Sequence, residues 1–211
     1  MAALTPAQRV RVEQAVAAAE ARTSAEFVCA VTRAADTYFT VPLLVAAVLA
    51  LALPLLEPAF GPSWTDASIH DPGLTVLQLL AFGILGFTLT RPPIAVALTP
   101  GAVKTRRVAR LARATFLECG LAGVERRNGV LLFVSLAEHR VEVIADSGVH
   151  ARVDAGAWQE VVDAFTAAVR SGDVGDGFIV ALDRLAAILE RPYPRAASDR
   201  NEIADRLVEL A

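Results

Sequence analysis

Cysteine and lysine are almost missing from this chain. Its 211 residues include two cysteines, Cys29 and Cys119, and one lysine, Lys104, against nineteen arginines. Two widely separated cysteines match no metal-ligand spacing and provide no disulfide framework, so both read as small buried apolar residues in a reducing compartment. The arginine excess reads as codon bias in a GC-rich bacterial genome rather than chemistry. A net charge of −3 leaves no global field that would call for nucleic acid. No glycine-rich phosphate loop and no Gly-x-Ser-x-Gly elbow occurs anywhere. His70 and His150 have no partner at metal-ligand spacing.

Apolar sequence is abundant. Hydrophobic residues make up 55% of the chain, with a mean hydropathy of +0.47, above the ~45–50% of an ordinary globular domain. Much of the excess sits in two uncharged runs, Val41 to Leu56 and Leu74 to Thr90. As helices they would reach roughly 24–26 Å at ~1.5 Å per residue, slightly short of a ~30 Å hydrocarbon core. Aromatic residues at their flanks, Tyr38, Phe39, Phe60 and Trp64, stand where bilayer interfaces would fall. Pro42 is permitted in a first turn, whereas Pro54 lies inside the first run and predicts a kink.

Charge sets an expected orientation. The connector from Glu57 to Gly73 carries Glu57, Asp66 and Asp71 but no arginine or lysine, whereas Arg33, Arg91, Lys104, Arg106, Arg107, Arg110 and Arg113 flank the pair. The positive-inside rule then predicts an inner-membrane protein with two spans, both termini cytoplasmic and a short acidic loop outside. The first run starts near residue 39, too late for a signal peptide, so it should stay in the mature chain.

The remainder reads as one α/β domain. Thr5, Pro6 and Gln8 form a capping box opening a helix that runs to about Ala21. Glu26 to Thr32 is a β-branched and aromatic strand. A helix from about Val103 to Leu117 follows the hairpin. Gly129 to Leu136 is an apolar strand covered on both faces, and Arg140 to Ala145 returns antiparallel after a tight Ala137-Glu138-His139 connection. Ala157 to Arg170 carries an amphipathic helical stripe through Trp158, Val161, Val162 and Phe165, and Phe178, Leu182, Leu185 and Leu189 repeat that spacing. A last helix is expected from near Asp199, capped through Glu202 and presenting Ile203, Leu207 and Leu210. The first strand must pair with the later ones, because an isolated strand leaves its backbone groups unpaired. The expected organisation is residues 1–36 as the first part of the domain, 37–98 as a transmembrane hairpin and 99–211 as the rest.

The stretch from Asn128-Gly129-Val130-Leu131-Leu132-Phe133-Val134-Ser135 through Asp146-Ser147-Gly148-Val149, followed by Trp158 on a helix, resembles the TPM domain family. So do the Thr23-Ser24-Ala25-Glu26 strand entry, the Arg170-Ser171-Gly172-Asp173 helix exit and the closing Asn201-Glu202-Ile203. The resemblance is strongest to a bacterial membrane branch in which two spans interrupt the domain. It implies an α/β/α sandwich with a small central mixed sheet, tethered to a membrane. Some members are described as acid phosphatases or calcium binders, others as accessory proteins of membrane complexes, and no single catalytic motif is shared.

Candidate sites rest on their own residues. Asp146 ends an apolar strand, where phosphoryl-transfer enzymes present a nucleophilic aspartate, but the second aspartate needed two positions on is Gly148. The simpler reading is that Asp146 caps the turn through Ser147-Gly148. A divalent cation such as calcium would need Asp146, Asp154, Asp173 and Asp176 brought together by the fold. Asp173 to Gly177 lacks the EF-hand pattern, and Asp176 reads as a helix cap. Ser135, His139 and Asp146 make a triad by residue type, with Ser135 in a strand and His139 in a turn. Lys104, Arg106, Arg107, Arg110 and Arg113 put five cations on the helix after the hairpin, a candidate surface for anionic lipid headgroups. The expected function is a non-catalytic tether or accessory module, with membrane lipids and another membrane protein as partners. A metal-assisted acid phosphatase and an anionic-lipid-binding module are the alternatives.

Overall fold

The structure, a computed structural model, describes residues 4–55, 72–124, 126–195, 202–204 and 206–210. These fall into two compact units, one formed by Met1–Ala35 with Thr105–Ala211 and the other by Asp36–Lys104.

The first unit is built on a four-stranded sheet of order β3-β2-β1-β4, with β1 at Glu26–Thr32, β2 at Gly129–Ser135, β3 at Arg140–Ala145 and β4 at Leu207–Leu210. β1 runs parallel to β2 from Glu26↔Gly129 to Thr32↔Ser135, so the strand before the apolar runs does rejoin those after them. β3 returns antiparallel along β2. Every residue of β1 and β2 is buried, as expected for strands covered on both faces.

Alternation sorts the buried side chains into two cores. Phe27, Cys29, Val31, Val130, Leu132 and Val134 face one side. There α1 (Pro6–Glu20), α7 (Ala155–Ser171) and α8 (Val174–Leu189) add Val12, Val16, Val161, Phe165, Phe178, Leu182 and Leu185. Val28, Ala30, Leu131 and Phe133 face the other, against Val108, Ala112 and Phe116 of α5 (Gly101–Glu118). Each such fully buried Val, Leu or Phe contributes about 1.5–3 kcal/mol. The thiol of Cys29 lies in the larger core, where burial pushes its pKa up and leaves it inert.

Local signals explain most of the elements. Thr5 and Gln8 close the expected capping box on α1. The turn after β2 bends at His139, whose φ of 50° is left-handed, and its N–H donates to Leu136 O at 3.2 Å. Gly129 is required by close approach, because a β-carbon there would lie 2.8 Å from Leu121 O in the 3-10 turn Leu121–Gly123.

The chain end departs from expectation. Leu207 to Leu210 form β4, parallel to β1 from Cys29↔Leu207 to Thr32↔Leu210, where a helix was predicted. The spacing of Ile203, Leu207 and Leu210 fits a helical stripe, but β1 presents an open edge and its backbone takes this segment as a ladder partner. The buried Glu26 carboxylate accepts the Glu202 and Ile203 N–H groups, both at 3.3 Å, and so aligns the approach to β4. The predicted cap at Asp199 lies outside the described residues.

The second unit holds α2 (Thr40–Ala52), α3 (Pro72–Leu89) and α4 (Pro92–Leu98). α2 and α3 pack antiparallel: Gly86 lies against Leu43, and Gln78 donates to Ala50 O at 3.4 Å. Of the two expected spans, one meets the length of a membrane crossing among the described residues. α3 has 18 residues, whereas the apolar helix Thr40–Leu55 is shorter. Pro54 is the reason, since the α-helix ends at Ala52 and residues 53–55 tighten into a 3-10 turn. The acidic connector with Glu57, Asp66, Asp71, Phe60 and Trp64 lies outside the described residues up to residue 71. α4 had no counterpart among the elements expected from the sequence: Pro92 and Pro93 occupy the first turn of this short helix, where a missing N–H costs nothing.

Candidate functional site

The predicted site residues divide between the two ends of the strands. Asp146 lies at the edge where β2 begins, its N–H donating to Gly129 O at 2.9 Å. Its carboxylate caps α6 (Ser147–His150), accepting from Gly148 N at 3.4 Å and from Ser147 Oγ at 2.8 Å. The turn-cap reading of this residue is the one the geometry matches. Gly148 is needed because a β-carbon would lie 2.5 Å from Arg127 O. Nearby, the Arg152 guanidinium lies 4.9 Å above the Tyr193 ring. Burial raises the Tyr193 pKa, with Arg152 opposing the rise and Asp146 adding to it.

Asp173 and Asp176 belong to the opposite edge. Asp173, not Asp176, is the N-cap of α8, and Asp176 three residues on completes a capping box. Arg11 of α1 bonds Asp176 and lies 4.0 Å from Asp173. The hydrogen bond from Gln8, then the Asp176 N–H, hold Asp173 below the usual carboxylate range. Val174 lines a cleft with Ser135 at the end of β2. Asp146 is therefore separated from Asp173 and Asp176 by the length of β2, about 20 Å at ~3.3 Å per residue, far beyond a shared ~2.3–2.6 Å ligand set. Asp154 is engaged as the N-cap of α7, accepting from Gly156 N at 3.1 Å. Among the described residues no three His, Cys, Asp or Glu side chains converge as metal ligands. The four aspartates are helix caps, and they do not fit a single cation. The triad separates in the same way, with Ser135 and His139 at one edge and Asp146 at the other.

The cleft at the end of the parallel strands went unnoticed in the sequence. It encloses about 560 Å³ and is lined by Val134, Ser135, Leu136, His139, Arg140, Val141, Phe165, Thr166, Val169, Arg170 and Val174. Ligands in parallel α/β sheets bind at the carboxyl ends of strands. Glu138 organises its floor: the buried carboxylate takes the Ser135 hydroxyl on one oxygen and the Ala35 N–H at 2.8 Å on the other. The pairing of β1 with β2 was the available signal, since it places the 136–139 turn at that edge.

On α5, Arg106, Arg110 and Arg113 are exposed at i, i+4 and i+7, opposite buried Val108, Ala112, Thr115 and Phe116. Arg107 is exposed beside them. Lys104 lies in the second unit, where its ammonium donates to Val96 O at 3.3 Å.

Comparison with known proteins agrees with this architecture. No curated protein matches the chain. Among solved structures, the NMR structure of BA42 protein from the psychrophilic bacterium Bizionia argentinensis superposes with a TM-score of 0.60 at 14% identity, covering 99% of this chain and 96% of that one. At that identity the likeness is one of fold. The TPM domain pattern matches residues 89–188, which run from the end of α3 through β2, β3 and α7 to α8. Over those residues the chain is similar to the TPM domain family.

Proposed function

We propose that this chain is a membrane-anchored TPM domain acting as a non-catalytic tether or accessory module of a membrane complex. The observation that carries the reading is the outward face of the second unit. α2 and α3 meet through Ala46, Ala50 and Gly86, small residues of the kind that pack helices in lipid. Leu44, Val48, Leu51, Leu80, Ile84 and Phe87 point away, each at least 57% exposed. In water that face would forgo roughly 1.5–3 kcal/mol per large side chain. A bilayer removes the penalty, and local thinning accommodates the shorter α2. Arginines on both flanks support an orientation with the termini on the cytoplasmic side.

Membrane anchoring is tested by extraction of native membranes at pH 11. The wild-type chain should stay in the pellet, and the double variant Leu80→Arg, Ile84→Arg should be released, because each centrally placed arginine costs about 2.5–3.5 kcal/mol of insertion. The accessory role is tested by affinity capture from mild-detergent extracts, which should yield a membrane protein at constant stoichiometry. Robust phosphatase turnover abolished by Asp146→Ala would overturn the non-catalytic reading.

A second reading rests on the Arg106, Arg110 and Arg113 stripe, a surface for anionic headgroups at about 1 kcal/mol per cation. Flotation with liposomes should then depend on anionic lipid and lose that dependence when Arg106, Arg107 and Arg110 become Gln.

A further inference from the structure

We infer that the cleft at the end of β1 and β2 is a binding site for a medium-chain aliphatic carboxylate, its chain inside the cleft and its headgroup at His139 and Arg170. The site lies within the first unit, so the inference is independent of membrane anchoring.

The cleft's volume, about 560 Å³, falls within the ~300–1,000 Å³ of ordinary small-ligand sites. Its walls are the branched aliphatic groups of Val134, Leu136, Val141, Val169 and Val174, with one ring, Phe165. That lining suits a flexible alkyl chain. The two hydroxyls at the cleft are already committed, Ser135 to Glu138 and Thr166 to Val162 O at 2.8 Å. Neither needs a polar ligand atom.

The charged groups point to the headgroup. Among the described residues no Asp or Glu lines the cleft, whereas His139, Arg140 and Arg170 do. Arg140 alternates to the sheet face opposite Val141 and acts on Glu142. That leaves the exposed side chains of His139 and Arg170 at the mouth, neither in an ion pair among the described residues. The nearby acids are withdrawn: Glu138 holds Ser135 and Ala35, and Asp173 holds the α8 cap beside Arg11. Planar guanidinium groups pair well with carboxylates.

The test uses the full chain in phosphatidylcholine nanodiscs, irradiated with a decanoate carrying a diazirine on its alkyl chain. Adducts should map to residues 134–141 and 165–174, fall about tenfold in the variant His139→Gln, Arg170→Gln and persist in Arg170→Lys. Unlabelled decanoate should compete, and decanol at equal free concentration should not. The inference is overturned if adducts are confined to α2 and α3, if decanol competes equally, or if the double variant labels like the wild type. Both substituted residues are exposed, and an unchanged melting temperature would separate lost binding from lost folding.

Discussion

The two units are equally rich in apolar residues and arrange them in opposite ways. In the first, Phe27, Leu132 and Phe133 are essentially inaccessible, and charged residues such as Arg9, Arg22 and Glu160 lie outside. In the second, the buried positions of α2 and α3 are Pro42, Ala46, Ala50 and Gly86, all small, and Leu51 is 71% exposed. Composition alone does not separate these cases. What differs is which side of each helix carries the large side chains, and under the proposed anchoring that difference follows the solvent of each unit.

Substitutions on either side of this contrast should act on different observables. The largest stability effect belongs to the first unit: Phe133→Ala should cost about 3–5 kcal/mol in chemical denaturation, through lost transfer energy and a cavity. It should leave membrane retention unchanged. The matching change Leu80→Ala should move the unfolding midpoint by less than about 0.5 kcal/mol, as an exposed site does. Equal effects would break the contrast. Gly148→Ala comes next, with about 1–3 kcal/mol lost, because its β-carbon meets the Arg127 backbone and not a movable side-chain tip. Thr5→Ala should cost about 1 kcal/mol by removing the α1 capping box.

The smallest effect is a pH dependence. Glu142, on the α5 side of the sheet, has its pKa raised by burial, with Arg140 and Arg113 opposing. A raised carboxylate pKa means the folded chain binds the proton more tightly. That contribution is present below the unfolded-state pKa and is lost as pH rises through the folded one. Glu142→Gln should therefore gain stability relative to wild type at neutral pH, with the gain vanishing toward pH 4, as read by thermal melts across pH. Asp173 runs the other way. Its lowered pKa gives stability present at neutral pH and lost as acid protonates the folded carboxylate, so Asp173→Asn should flatten the acid limb.

Much of the first unit was legible because its signals are local. The Thr5 capping box, the uninterrupted apolar Gly129 strand and the heptad-like spacing of α7 and α8 each act within a few residues. β4 was illegible because Leu207 to Leu210 also fits a helical stripe, and only the open edge of β1, remote in sequence, decides for a strand. α4 was illegible because seven residues are too few to show a helical period, although Pro92-Pro93 permits a helix start. The site followed the same division. Asp146 as a turn cap was readable from Ser147-Gly148. The cleft was not, because Ser135, Phe165, Arg170 and Val174 meet only after β1 has paired with β2 and α7 has folded over them.

Whether the second unit lies in lipid is read by spin-label accessibility at residue 80. With Cys119→Ser removing the partly accessible native thiol and Cys29 left buried, a nitroxide on Leu80→Cys in reconstituted protein is relaxed by oxygen or by a water-soluble nickel chelate. A lipid-facing residue 80 is relaxed mainly by oxygen, as in the hydrocarbon interior. Relaxation dominated by the nickel chelate would contradict that placement.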